Sequence, residues 1–230
     1  MSSTSSHVIR VGSDGAPAVL ALPPAGSGPA VIVIQEWWGL VPHIVAVTER
    51  LAQAGFVAMA VDHYRGAATT EPDEAGKLMM GLDIEQVAAD LAAAADHLLG
   101  QSQVSSSSVG VVGFCMGGGL ALLAPTVSDG ISCASAFYPA MPWPHYAPDW
   151  SRYAGKAAIV HKAVSDEPGT GPVIAEYASA IAAAGGEVEL FEYPDSVHAF
   201  FNDDRPEVYQ PANADRAWER TVGFLREHLG

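Results

Sequence analysis

The residues Gly113-Phe114-Cys115-Met116-Gly117 place a thiol between two glycines, where an apolar strand pattern gives way to the helical Leu120-Ala121-Leu122-Leu123. A sharp strand-to-helix turn needs small residues two positions either side of its centre, because the backbones approach closely there and the central residue is strained. At a helix N-terminus the dipole favours thiolate, so the pattern is that of a cysteine nucleophile. The other cysteine, Cys133, lacks this setting and reads as a small apolar residue near a strand start.

A nucleophile needs a base, and the base needs a group to orient it. His198 follows the run Glu187 to Tyr193 after the short Pro194-Asp195-Ser196-Val197, which puts it at the carboxyl end of a strand. By contrast, His161 falls inside a buried strand pattern, His97 and His228 sit on helices, and His7 lies near the terminus. Asp166 ends the strand Ala157 to Val164, one element before His198. A carboxylate there holds the imidazole in the tautomer whose other nitrogen accepts the thiol proton. Asp195 is its rival and Asp62 a weaker one, but only Asp166 combines a strand end with a place between nucleophile and histidine in chain order. Glu36 ends a further apolar strand, Ala30 to Gln35, where a carboxylate is costly unless paired, and Trp37 and Trp38 after it argue for a walled pocket.

These residues require a scaffold that brings strand ends together. Short β-branched or aromatic runs at Ala30 to Gln35, Phe56 to Val61, Val109 to Gly113, Ala134 to Phe137, Ala157 to Val164 and Glu187 to Tyr193 read as strands, with weaker ones at Val8 to Val11 and Ala18 to Ala21. Helical stretches lie between them at Pro42 to Ala54, Asp83 to Leu99, Gly117 to Val127, Val173 to Ala184 and Asn213 to His228. The alternation predicts an α/β fold, a mostly parallel sheet of about eight strands with helices on both faces. The Ser105 to Ser108 patch reads as a loop feeding the strand at Val109, and Ala88 to Ala95 as a helix surface. Nothing marks a domain boundary or a lid-sized insertion, so residues 1–230 are expected to form one domain. Ligands of such sheets bind beyond the carboxyl ends of the strands, where the candidate residues fall.

The composition allows that scaffold and excludes other classes. The chain has 230 residues, of which 49% are hydrophobic and 16% charged, against roughly 25% charged in average soluble proteins, so it can bury a core and is not disordered. Twenty-six acidic against eleven basic residues leave a net charge of -15, which repels nucleic acid. No apolar run approaches the roughly 20 residues of a membrane helix, so no membrane association is expected. The start Met-Ser-Ser-Thr-Ser-Ser carries neither a positive nor an apolar signal region, and a cytoplasmic monomer is expected. Two cysteines without a CxxC make a disulfide framework or a cysteine-rich zinc site improbable. Neither H-E-x-x-H nor G-x-x-x-x-G-K-[ST] occurs, so no metal and no cofactor are expected.

Over nearly its whole length the chain resembles the dienelactone hydrolase family of α/β-hydrolases. The resemblance rests on Glu36-Trp37-Trp38-Gly39, Asp62-His63-Tyr64 with Gly66, Gly113-Phe114-Cys115-Met116-Gly117-Gly118, Tyr193-Pro194, His198-Ala199-Phe200, Ala217-Trp218 and the final Phe224-Leu225 helix, in the family's order. It implies a Cys115, Asp166, His198 triad and an auxiliary carboxylate, Glu36, that meets the resting thiol and is displaced when substrate arrives. It also implies an oxyanion hole from the backbone N–H groups of Met116 and Trp37, and a pocket tyrosine at Tyr138. Trp38, Tyr64 and Asn202 complete the expected substrate-binding set.

The pattern departs from the family at two points. The best-studied members hold a substrate carboxylate with two arginines; one position is Asn202 here, and the other falls in the arginine-free Glu71 to Glu74. Lys77, Arg65 and Arg205 are the nearby cations that stand as substitutes. The expected activity is cysteine-dependent hydrolysis of a small lactone or ester. A class I amidotransferase also places its nucleophile in G-x-C-x-G, but no histidine here has Glu two residues on. A non-catalytic small-molecule-binding domain is the third reading, and the presence of all three triad residues weighs against it.

Overall fold

The computed structural model describes residues 6–143, 145–166 and 170–230, so residues 1–5 of the serine-rich start lie outside it. Eight strands form one sheet: β1 (Ser6–Val11), β2 (Ala16–Ala21), β3 (Gly28–Ile34), β4 (Val57–Val61), β5 (Val104–Phe114), β6 (Ile131–Phe137), β7 (Ala157–Ala163) and β8 (Glu187–Tyr193). Their spatial order is β1-β2-β4-β3-β5-β6-β7-β8. The β1–β2 and β2–β4 pairs are antiparallel, and every pair from β4 to β8 is parallel.

Six α-helices accompany the sheet among the described residues: α1 (Pro42–Gln53), α2 (Pro72–Met80), α3 (Ile84–Leu99), α4 (Met116–Val127), α5 (Thr170–Ala183) and α6 (Pro211–Leu229). The period-2 alternation of β3 divides the core between the two faces. Ile32 and Ile34 pack with Leu91 and Leu98 of α3 and Leu120 of α4. Val31 and Val33 pack with Ile44 and Leu51 of α1 and Phe224 and Leu225 of α6. Each such fully buried side chain contributes about 1.5–3 kcal/mol of transfer free energy, which fixes the central strands and hence the positions of their ends. None of the described helices is long and apolar enough to cross a membrane.

One expectation is corrected, and one helix is present that the sequence reading did not name. The Ser105 to Ser108 patch is part of β5, not a loop. Its hydroxyls satisfy an irregular ladder: Ala30 N–H donates to Ser106 Oγ at 3.1 Å, Ser106 Oγ donates to the Ser108 carbonyl at 2.6 Å, and the Ser108 and Ser132 hydroxyls lie 2.8 Å apart. Helix α2 was not apparent from apolar periodicity, because among its residues only Ala75 is buried. What favours it is end chemistry, with Pro72 at the start and Asp73 and Glu74 in the first turn.

Candidate active site

Cys115 stands between β5 and α4 with φ 56° and ψ −121°, a backbone conformation costly for any side-chain-bearing residue. The flanking glycines are required sterically. A Cβ on Gly113 would run into the Gly117 carbonyl, and one on Gly117 would lie 2.6 Å from the Ile34 carbonyl oxygen. The turn is secured through Cys115 itself, whose carbonyl accepts from Gly118 N–H at 2.9 Å and Ala140 N–H at 2.9 Å, while its own N–H donates to Phe137 O at 3.1 Å. The thiol is partly exposed, and Met116 begins α4, so its N–H has no acceptor within the helix.

His198 meets Asp166, and of the three candidate acids this is the one that pairs with it. The imidazole Nδ1 lies 2.9 Å from Asp166 Oδ1 and 3.0 Å from Oδ2, and the Asp166 side chain is 3% exposed. Backbone bonds zip the loop after β7 onto the loop after β8, with Val164 N–H on Tyr193 O at 3.2 Å and Ser165 N–H on Ser196 O at 3.0 Å. Asp62 instead caps its own turn, accepting from Tyr64 N–H at 3.0 Å and Gly66 N–H at 2.6 Å. Asp195 is a positive-φ turn residue, φ 59°, in the loop leading to His198. Burial disfavours protonated His198, but hydrogen bonding and charge attraction from Asp166 and Cys115 outweigh it and push the imidazole up to about 10. Negative charge on the Cys115 sulfur and the Asp166 carboxylate therefore both act to keep a proton on this ring.

Glu36 follows β3 and is 1% exposed. Tyr138 Oη donates to its Oε1 at 3.3 Å and Asn202 Nδ2 to its Oε2 at 2.8 Å. Those are its hydrogen bonds among the described residues, rather than the thiol contact that the resemblance implies. Asn202 is thus placed on Glu36, with its Oδ1 accepting from Asp204 N–H at 3.1 Å. Tyr138, at φ 36°, also sets its ring 5.0 Å from that of His198. Tyr64 Oη donates to Met116 Sδ at 3.3 Å, and burial followed by the nearby Cys115 charge raises its pKa. Trp37 and Trp38 meet edge to face at 4.9 Å.

A cleft of about 450 Å³ borders this cluster, lined by Trp38, Val41, Pro42, His43, Asn202 and Arg205 among others. Cys115 and His198 do not line it; Asn202 connects it to Glu36. Arg205 has its guanidinium 6.0 Å from the Trp38 ring. Arg65 instead bonds Asp14 at 2.7 Å and Asp90 at 2.9 Å, and Lys77 pairs with Glu74 at 2.6 Å on α2. Sequence reasoning does not single out His43 or Gln35. His43, 3% exposed, lies 3.1 Å from Asp203, and Gln35 is fully buried. Neither carries a motif, and only the placement of α1 against the loop after His198 brings His43 here. No group of three or more His, Cys, Asp or Glu among the described residues is arranged to hold a metal ion.

Comparison with known proteins gives the family and the fold. Residues 16–229 match the profile of the Dienelactone hydrolase family. The chain is 35% identical over 213 residues to "Protein usf" of Aquifex pyrophilus, covering 90% of this chain and 91% of the relative. It is 30% identical over 213 residues to a protein of Aquifex aeolicus named "Putative carboxymethylenebutenolidase", again covering 90% of this chain and 91% of the relative. Among solved structures, one from Klebsiella pneumoniae described as a "Putative Dienelactone Hydrolase" superposes with TM-score 0.84 at 24% identity, covering 96% of this chain and 98% of that one.

Proposed function

The chain belongs to the dienelactone hydrolase family and is an ester or lactone hydrolase of α/β-hydrolase fold, and from that premise we propose that Cys115, His198 and Asp166 act through an acyl-enzyme on the thiol. The observation that carries this reading is the Nδ1 contact of His198 with Asp166 at 2.9 Å, on an imidazole that also interacts with Cys115.

In the first half-reaction the Cys115 sulfur attacks the substrate carbonyl carbon while its proton resides on His198. The carbonyl oxygen becomes an oxyanion, and the N–H groups of Met116 and Trp37 are the donors for it. Collapse breaks the carbon–oxygen bond to the leaving group, which takes the proton from His198 and leaves a thioester. In the second half-reaction His198 removes a proton from water, which attacks the thioester, and the thiolate departs with its proton restored through His198. Asp166 keeps the imidazole in the tautomer both halves need.

Glu36 is the auxiliary carboxylate of this scheme. Both of its oxygens accept hydrogen bonds, from Tyr138 and Asn202, so its approach to the thiol requires an exchange of those donors. A substrate oxygen arriving beside either donor offers that exchange. The scheme is tested by the kinetics of two variants: Cys115→Ala should lose several orders of magnitude in turnover, and Cys133→Ala should keep near wild-type rates. A Cys115→Ala protein with near wild-type turnover would refute it.

A further inference from the structure

The charge of the substrate follows from what has become of each arginine and lysine near the site, the His198 ring being already paired with Asp166. Arg65 is locked between Asp14 and Asp90. Lys77 is 71% exposed on α2 and paired with Glu74. Arg205 does border the cleft, but its Nε donates to Glu207 at 2.9 Å and its side chain is 37% exposed, so water and salt screen it. Against it stand Glu36, buried behind Asn202, and Asp204, which lines the cleft.

Asn202 supplies no charge to offset them. Its Nδ2 is engaged by Glu36 at 2.8 Å and its Oδ1 by Asp204 N–H at 3.1 Å, so its amide is already oriented by two partners. A carboxylate brought into the cleft would lose water and come near like charges, which is unfavourable unless a cation answers it directly. The net charge of -15 adds a long-range repulsion of the same sign. An uncharged molecule meets none of these penalties and finds an apolar wall in Trp38, Val41 and Pro42.

We infer that the substrate is an uncharged lactone or ester whose apolar part lies in the Trp38 cleft, and that the site discriminates against carboxylate-bearing members of the same class. The inference rests on the hydrolase reading above and adds the charge of its substrate.

The test compares an enol lactone bearing a primary carboxamide with the same lactone bearing a carboxylate. For the wild-type protein, kcat/KM is measured at low and high salt; for Cys115→Ala, binding of both lactones is measured by calorimetry. The carboxamide should be favoured by about tenfold or more in both measurements, with the gap narrowing as salt rises. Equal values overturn the inference. So does a preference for the carboxylate, and its loss in Arg205→Gln would make Arg205 an anion clamp. If neither lactone turns over while Cys115→Ala still binds the carboxamide more tightly, the hydrolase reading falls and the charge preference stands.

Discussion

Asn202 Nδ2 lies 2.8 Å from Glu36 Oε2, and both side chains are buried. The contact ties the loop after the histidine to the end of the strand that carries the carboxylate. It makes the freedom of Glu36 depend on what occupies the neighbourhood of Asn202 and Tyr138.

If substrate frees Glu36, iodoacetamide should label Cys115 faster with a bound analogue that leaves the thiol open than without it. Glu36→Gln should slow turnover and erase that acceleration. Equal labelling rates in the wild type would count against the auxiliary role. The readout is specific to one thiol, since burial pushes Cys133 up to about 12 and leaves it unreactive near neutral pH.

Replacing Asp166 with Asn should leave the fold intact and lower kcat by about 10³ to 10⁴, because the imidazole adopts the wrong tautomer. The comparison variant is Asp195→Asn. Should that change prove the more damaging, the acid has been misassigned.

His198 holds its proton to about pH 10, through Asp166 and Cys115 and against the effect of burial. In the proposed scheme the leaving group takes its proton from this imidazolium, so the alkaline limb of kcat/KM should fall near pH 10. In Asp166→Asn the limb should move to lower pH. A limb that stays in place would show that Asp166 does not support the protonated ring.

A buried histidine away from the site is expected to contribute to acid sensitivity. His161 accepts or donates between Tyr193 Oη at 2.8 Å and Thr221 Oγ1 at 2.9 Å, and burial, then Arg220, pushes it down to about 3. Its folded pKa lies below the unfolded value of roughly 6.5, so the unfolded chain binds the extra proton. The stability it contributes is complete above that unfolded value and is lost as pH falls toward 3. Urea unfolding between pH 6.5 and 4 should show a decline of up to about 1.4 kcal/mol per pH unit that His161→Gln reduces. An identical pH slope in the variant would exclude His161 as the source.

Much of this was legible in the sequence, for identifiable reasons. Cys115 and its two glycines are close in the chain, so their geometry is local, and Asp166 and His198, the proposed acid and base, each sit just past a strand whose apolar run is visible. Helix α2 escaped because it lacks an apolar stripe, and the Ser105 to Ser108 segment because a run of serines shows no apolar alternation and its hydroxyl partner Ser132 is distant in the chain. The Asn202 and Glu36 contact joins residues 166 positions apart, which no local pattern encodes. Likewise, the removal of Arg65 from the site depends on Asp14 and Asp90, which only the folded sheet and α3 bring to it.

Gly117→Ala should abolish the elbow. Its Cβ would meet the Ile34 carbonyl oxygen at 2.6 Å, a backbone atom that cannot swing aside. A destabilisation of about 3 kcal/mol or more is expected, read as a lower urea midpoint. An unchanged midpoint with full activity would contradict the close approach of α4 to β3.

The central claim is that Cys115 carries the acyl group, and acid quenching of the protein during turnover of a short activated ester, followed by peptide mass spectrometry, tests it most directly. The account predicts a thioester adduct, of the mass of the acyl group, on the peptide containing Cys115. An adduct on another residue, or none while steady turnover proceeds, would contradict it.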